Sequence, residues 1–411
     1  MDVTVTDSQR RSSSPNLLEL ALVTETWPPE VNGVAHTLAR LVEGMRARGH
    51  HVQLLRPRRA GEVRAPGADV ASDAEAVVLP GIPLPGYEGL RMGLPAARRL
   101  TRLWQARRPD AVYIATEGPL GHSALRVARR LGIPVASGFH TQFDGYAAYY
   151  GVGWLTPIVR ALLRRFHNRC AVTLAPTQAL ADELAGQGFE RVAVMARGVD
   201  TRRFAPQWRS VALRQQWGVD ETAPVVLYVG RLASEKNLPL AFAAFRALQQ
   251  RVPAARLVLV GDGPARAALE REHPDALFAG QQVGADLAGY YASADLFLFP
   301  SSSETFGNVV IEALASGLPV LAFDTAAAHQ YVISGVHGAR VPFTGDTAVD
   351  AAAFVAAAAA LGDDPPGWVE MGGHARSRAR GLDWAQVVGQ FEDICQQIIE
   401  ETRDASAAMD G

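Results

Sequence analysis

Lysine is almost absent from this chain. Of 40 basic residues in 411, one is a lysine, Lys236, and the other 39 are arginines. Cysteine is nearly as rare: Cys170 and Cys395 lie far apart in apolar stretches, which indicates neither a disulfide framework nor a metal-ligand spacing. No run reaches the ~18 apolar residues of a membrane span, and the alanine-rich stretch 351–361 is too short. The first 14 residues carry charges and serines but no apolar core, so a secretory leader is not expected and the expected compartment is the cytoplasm.

What is present describes a soluble globular protein, 48% hydrophobic and 20% charged. Its length exceeds one ordinary core, so two domains are expected. The net charge of −2 hides an asymmetry. Residues 1–205 hold 26 arginines against 18 acids, and residues 206–411 hold 14 basic residues against 24 acids. A basic first half suits either solvated helix faces or peripheral contact with an anionic membrane surface. Nucleic acid is disfavoured, because the arginines show no aromatic interleaving.

Short apolar runs alternate with amphipathic helical stretches twice over. The first series comprises Leu17–Val23, His51–Leu55, Ala111–Ala115, Ile133–Ser137, Val172–Ala175 and Val192–Met195. The second comprises Val225–Val229, Arg256–Val260, Leu277–Gly280, Leu296–Pro300 and Pro319–Phe323. Between them lie helical patterns such as Val34–Arg48, Leu120–Leu131 and Leu155–Asn168. This alternation predicts two doubly wound, Rossmann-like α/β domains with parallel sheets covered on both faces. A linker falls near 203–210, giving domains at 15–205 and 206–382 and a separate helix within 383–403. Residues 1–14 and 404–411 are polar and expected to be unstructured.

Ligands of such sheets lie beyond the carboxyl ends of the strands. The dinucleotide fingerprint is missing there: Gly261-Asp-Gly263 turns on Pro264, and the first loop holds a single Asn32-Gly33. Arg231 and Lys236 follow the run Val225–Val229. An arginine fork beside the one lysine in an arginine-rich chain suits a phosphate, gripped by one cation and neutralised by the other. After Leu296–Pro300 come Ser301 to Glu304, Gly307 and Glu312, with Gly317 and Pro319 as stop signals. The serines are expected to cap a helix. If helical throughout, Glu304 and Glu312 stand on the order of 12 Å apart. The carboxylates of a glycosidase stand only about 5 to 9.5 Å apart. The pair therefore suits two ends of one extended ligand, with an anion at the helix N-terminus between them. No metal-ligand cluster is legible.

The set Gly230-Arg231…Glu235-Lys236, Gly261-Asp-Gly263-Pro264 and Glu304-Thr-Phe-Gly-Asn-Val…Glu312 resembles the retaining nucleotide-sugar glycosyltransferases of family 4, with the GT-B fold. Pro28-Pro-Glu-Val-Asn32-Gly33, Phe139-His140-Thr141, Ala175-Pro-Thr177 and Arg197-Gly-Val-Asp200 resemble further landmarks of that family, over about residues 17–400. Leu84-Pro-Gly-Tyr87, His140–Asp144 and Phe166-His-Asn168 look most like its bacterial mannosyl- and glycolipid transferases.

The resemblance implies roles. Arg231 and Lys236 would hold the donor diphosphate, with Gly33 and Gly261 in loops that approach it. Glu304 would bind the transferred sugar. The amides of Phe306, Gly307, Asn308 and Val309 would face sugar and phosphate, and Glu312 would accept from the ribose. His140 would sit at the catalytic end of the cleft, and Asn32, His140, Asp144 and Tyr146 would line the acceptor side. No cofactor is implied; any Mg²⁺ would be held weakly, mainly by phosphates. Helix Trp384–Glu401 would return to the first domain. One departure from the family pattern is Asn237, where many relatives have glycine after the phosphate lysine. The implied reaction moves a hexose, mannose from GDP-mannose first among donors, to a lipid or lipid-linked acceptor. A UDP-sugar donor with diacylglycerol or a polysaccharide is the alternative within this class, and a two-lobed solute-binding protein the alternative outside it.

Overall fold

The computed structural model describes residues 17–30, 32–59, 62, 76–83, 91–140, 156–302 and 304–410. The strands are β1 Glu19–Val23, β2 His51–Pro57, β3 Val77–Leu79, β4 Gly81–Pro83, β5 Arg91–Gly93, β6 Ala111–Ile114, β7 Val135–Gly138, β8 Val172–Ala175 and β9 Val192–Val194, then β10 Val225–Val229, β11 Arg256–Val260, β12 Leu277–Phe278, β13 Leu296–Phe299, β14 Val320–Phe323 and β15 Gly338–Val341. They form a seven-stranded sheet in the order β3-β2-β1-β6-β7-β8-β9 and a six-stranded sheet in the order β12-β11-β10-β13-β14-β15. Every pairing within these two sheets is parallel. β4 and β5 make a small antiparallel hairpin beside the first sheet.

The central strands are continuous apolar runs because helices cover both faces. All five residues of β10, Val-Val-Leu-Tyr-Val, are buried. Four strands lack such runs. β3 is three residues long, β15 reads Gly-Ala-Arg-Val, and the hairpin spans two three-residue strands around residues outside those described.

Helix Gly33–Ala47 buries Ala35, Leu38, Leu41, Val42 and Met45, one stripe at helical spacing. The long C-terminal helix Trp384–Asp410 buries Val387, Val388, Phe391, Cys395, Ile398 and Ile399, and these join Leu38, Leu41 and Met45 in one cluster against the first sheet. The chain thus returns to its first half. The helix runs on to Asp410, well past Glu401, where the polar composition predicted an unstructured tail. Ala405, Ala407 and Ala408 favour helix, and polarity alone does not break one.

The outward and returning crossings lie side by side. Val199 N donates to the carbonyl of Leu382 at 2.8 Å, and Val199 bridges to Asp383. Gly198 packs directly on Trp384, whose Cα would stand 2.9 Å from any Cβ there. Arg376 ties this crossing to the second half, donating to the carbonyls of Thr201 and Phe204 at 2.8 Å each and of Ala315 at 2.6 Å.

Candidate active site between the two sheets

Strand order reverses between β1 and β6 in the first sheet and between β10 and β13 in the second. Loops leaving the strand ends there diverge and open a crevice. β10 leads into Arg231 and Lys236, β13 into Glu304 and the helix Asn308–Ala315, β7 into His140, and the loop after β1 into Asn32 and Gly33.

Lys236 closes a 3₁₀ turn, Ser234–Lys236. Asn237 follows in the left-handed region, φ 53°, and Pro sits in the first turn of the next helix, Leu238–Arg251. This settles the departure at Asn237: the position needs positive φ, which asparagine tolerates better than other non-glycine residues. The turn directs Lys236 Nζ onto Glu304 Oε1, which also accepts from Ser301 Oγ at 3.0 Å. The Lys236 side chain is 15% exposed and that of Glu304 20%. Arg231 lies further out, its side chain 43% exposed and Nη1 3.7 Å from Glu235.

The helix after Glu304 begins at Asn308, with Gly307 as its cap in the left-handed region, φ 82°. This corrects the expected helix start. Ser301 bonds Glu304 instead of capping, and Glu304 lies in the loop, so a helical rise does not measure its separation from Glu312. The first amides of this helix, at Asn308 and Val309, point out of the N-terminus beside Glu304, with the positive end of the dipole. Phe306 is buried and anchors the loop: its carbonyl accepts from Ala327 N at 2.8 Å. Glu312 lies one turn inside, its Oε2 accepting from the Tyr291 hydroxyl at 3.0 Å. Burial pushes its carboxyl up to about 7 against the opposing pull of that hydrogen bond.

The two halves touch across the crevice. Asn308 Nδ2 donates to the carbonyl of Gly33 at 3.4 Å, and Thr305 Oγ1 donates to the carbonyl of His140 at 3.3 Å. A Cβ on Gly33 would stand 3.2 Å from Asn308 Nδ2, so the missing side chain makes room for this contact. The His140 ring lies 3.0 Å from the Tyr113 hydroxyl through Nε2 and 3.4 Å from Arg197 Nη2 through Nδ1. Both ring nitrogens therefore face protein groups. Burial, then the charge of Arg197 and the nearby His167, lower its pKa to about 3. A neutral, doubly bonded imidazole shapes the site in this state and does not stand ready as a proton carrier.

Two further residues of the expected site also have structural uses. Asn32 is the cap of helix Gly33–Ala47: its Oδ1 accepts from Ala35 N at 2.8 Å and its Nδ2 donates to Thr26 Oγ1 at 2.7 Å. The residue stays exposed, and its amide keeps a second N–H beyond these two bonds. Gly261 supports its neighbour loop, since a Cβ there would lie 1.9 Å from the carbonyl of Gly230. It lets the two loops pack so that Leu232 N bonds the carbonyl of Asp262 at 2.9 Å, holding the segment that carries Arg231. Asp144 and Tyr146 lie outside the described residues.

Beneath His140, Ser137 Oγ meets His167 Nδ1 at 2.9 Å, and His167 Nε2 meets Glu117 at 3.1 Å. This is hydrolase-like spacing, yet Ser137 is 0% and His167 1% exposed. It serves as a satisfied polar core and not as a nucleophile. Among the described residues, no group of three or more His, Cys, Asp and Glu could hold a metal ion.

The sequence matches the model described as Glycosyltransferase Family 4 over residues 31–203 and that described as Glycosyl transferases group 1 over residues 223–364. The GDP-mannose-dependent alpha-mannosyltransferase of Mycobacterium tuberculosis (strain CDC 1551 / Oshkosh) is 37% identical over 331 residues, 79% of this chain and 84% of that protein. The chain belongs to glycosyltransferase family 4. The alpha-monoglucosyldiacylglycerol synthase of Streptococcus pneumoniae (strain ATCC BAA-255 / R6) is a more distant relative, 26% identical over 318 residues, 74% of this chain and 71% of that one. Among solved structures, sucrose-phosphate synthase from Thermosynechococcus elongatus superposes with a TM-score of 0.71 at 20% identity, covering 93% of this chain and 99% of that one. The two-domain GT-B architecture is thus shared.

In this glycosyltransferase, the residues expected to act together do converge: Lys236 with Glu304 from the second half, His140 and Gly33 from the first. Three groups that hold His140, Asn308 and Glu312 in place carry no such role in the sequence. Arg197 stood out as a landmark but received no role, Tyr113 is indistinguishable from core within the apolar strand β6, and Tyr291 gave no signal inside helix Gly284–Ser293.

Proposed function

We propose that this enzyme transfers an α-mannosyl group from GDP-mannose to a lipid or lipid-linked acceptor with retention at the anomeric carbon. The observation that carries the reading is the seating of Lys236 on Glu304 beside the N-terminus of helix Asn308–Ala315. One cation and a row of amides suit a diphosphate, and one carboxylate at their edge suits sugar hydroxyls. On this reading Arg231 and Lys236 stabilise charge developing on the departing phosphate, and Glu312 holds the ribose. The second half binds the donor and the first half the acceptor. Same-face attack, with the leaving phosphate taking the acceptor's proton, needs no protein nucleophile. Divalent metal, where it contributes, travels on the donor's phosphates.

The choice of GDP-mannose follows the mycobacterial relative, and the lipid acceptor follows the streptococcal one, which is named for a glucosyldiacylglycerol. The streptococcal relative favours the second reading, a glucosyl transfer to diacylglycerol from a UDP-sugar. A thermal-shift panel of GDP, UDP and ADP separates them. A ligand at 100 times its dissociation constant adds about 2.7 kcal/mol to stability, so GDP should raise the melting temperature well above the other two. A clear preference for UDP would replace the mannosyl reading with the glucosyl one. Family membership sets aside the solute-binding alternative.

A further inference from the structure

Arg197 follows β9 and is 5% exposed. Its Nη1 donates to Asn308 Oδ1 at 3.3 Å, its Nη2 approaches His140 Nδ1 at 3.4 Å, and its Cζ lies 5.5 Å from the centre of the Phe306 ring. Nη1 would stand 3.3 Å from a Cβ on Gly33. One guanidinium therefore touches or abuts four groups of the site, drawn from both halves of the chain. Among the described residues it makes no ion pair with a carboxylate, and its buried Nε has no hydrogen-bond partner. Keeping an unpaired cation out of water is costly, which argues against a merely space-filling role.

The chemistry of the group decides what it does to its neighbours. A guanidinium has donors only. Wherever Arg197 bonds His140, Nδ1 must offer its lone pair, so the ring proton sits on Nε2 and is donated to the Tyr113 hydroxyl 3.0 Å away. The same logic orients Asn308. Its Oδ1 accepts from Arg197, so its Nδ2 is turned to the carbonyl of Gly33. Thr305 adds a parallel tie to the His140 carbonyl.

We propose that Arg197 is the positioning residue of the transfer step, fixing His140 as its Nε2–H tautomer and locking it in register with Asn308 across the crevice. This rests on the reading that the transferred sugar lies between His140 and the start of helix Asn308–Ala315. The fork holds the two walls at one separation, so the sugar meets both in a single geometry. Arg197 acts through His140 and Asn308 and does not itself grip the donor phosphates.

The test compares Arg197→Met and Arg197→Lys with the wild type by kcat, donor KM, nucleoside-diphosphate Kd, melting temperature and ¹⁵N-histidine NMR, with the His140 signals assigned by their loss in His140→Gln. Misplacement of site groups by ~1 Å can cost about 100-fold in rate, so Arg197→Met should lower kcat on that order while changing the nucleotide Kd by less than about threefold. Its His140 signals should move from a single Nε2–H tautomer to a mixture. Arg197→Lys should fall between, since an ammonium retains charge but cannot fork to both partners. A nucleotide Kd that rises in step with the loss of kcat/KM would overturn the proposal, because the cation would then grip the diphosphate itself. Unchanged kcat would do so as well. Should Arg197→Met fail to fold, the wild-type spectrum still decides: an Nδ1–H tautomer at His140 overturns the proposal. That spectrum needs no substrate, so it stands apart from a failure of the mannosyl reading.

Discussion

Lys236 occupies a place where this composition would ordinarily supply arginine, and the structure supplies a reason. Its Nζ lies on Glu304 at the end of a tight 3₁₀ turn, with the side chain only 15% exposed. A planar guanidinium at that depth would displace Glu304 or Ser301. Lys236→Ala should leave the melting temperature nearly unchanged and cut transition-state stabilisation by about 3 kcal/mol, in line with losing one charge-stabilising donor. Lys236→Arg should also be slow in steady-state assays; full activity would make the lysine a compositional accident. Glu304→Gln should lose most transfer while GDP still binds by calorimetry, since on the proposed reading the carboxylate serves the sugar and not the phosphates.

Glu312 adds a dependence on pH. Its folded pKa is raised from 4.5 to about 7, so the neutral acid is the favoured native form. The stability this gives is present below pH 4.5 and is lost as pH rises through about 7. Ribose hydroxyls that donate to the carboxylate favour the ionised form. GDP affinity should therefore climb with pH toward about 7 and level off above it. Calorimetry on wild type and Glu312→Gln checks this, because ionisation of the nucleotide itself cancels in the difference. Equal pH profiles would remove Glu312 from the ribose.

At the scale of elements, what could be read from sequence was whatever leaves a periodic or continuous apolar trace. β8, β10 and β11 lie where their runs predicted, residue for residue. β15 went unseen because Gly338-Ala-Arg-Val carries no apolar run and is ordered by pairing with β14. The start of helix Asn308–Ala315 was misplaced because three serines look like caps, whereas Gly307 in the left-handed region performs the turn. Close approaches between elements were equally silent. Gly44 of helix Gly33–Ala47 meets the C-terminal helix so tightly that a Cβ would lie 2.4 Å from Val388 Cγ2. Glycine-to-alanine in a helix ordinarily gains about 0.5–1 kcal/mol. Here overpacking against a stiff β-branched side chain should win, costing about 1–3 kcal/mol in urea unfolding. Val388→Ala, itself destabilising, should recover part of that cost in the double variant, giving a coupling of opposite sign to the single effects. Simple additivity would mean that the two helices are not in contact at this point.

For the whole molecule, the paired α/β halves and the returning helix were legible because each half repeats the same alternation. Contacts between the halves were not. Arg197 is one arginine among 39, and only the fold shows that it meets both Asn308 and His140. The charge asymmetry now acquires a location. Helix Thr156–His167 exposes Ile158 (56%) and Leu162 (59%), four residues apart on one face, with exposed Arg164 and Arg165 on the same helix. Among the described residues no helix is long and apolar enough to cross a membrane. A surface stripe of this kind instead suits a helix lying along a bilayer, its apolar side chains in the interface and its arginines among anionic headgroups. Each arginine near such a surface contributes about 1 kcal/mol, and the attraction is screened beyond about 8 Å at physiological salt. The enzyme should therefore sediment with vesicles rich in phosphatidylglycerol, release as salt rises, and ignore neutral vesicles. Ile158→Glu with Leu162→Glu should weaken this binding while leaving GDP affinity intact, because the helix is remote from Lys236 and Glu304 in sequence and belongs to the other half of the chain. Binding that is equal on neutral and anionic vesicles, or unaltered in the double variant, would leave the basic half as a set of solvated helix faces and the acceptor to reach the crevice from solution.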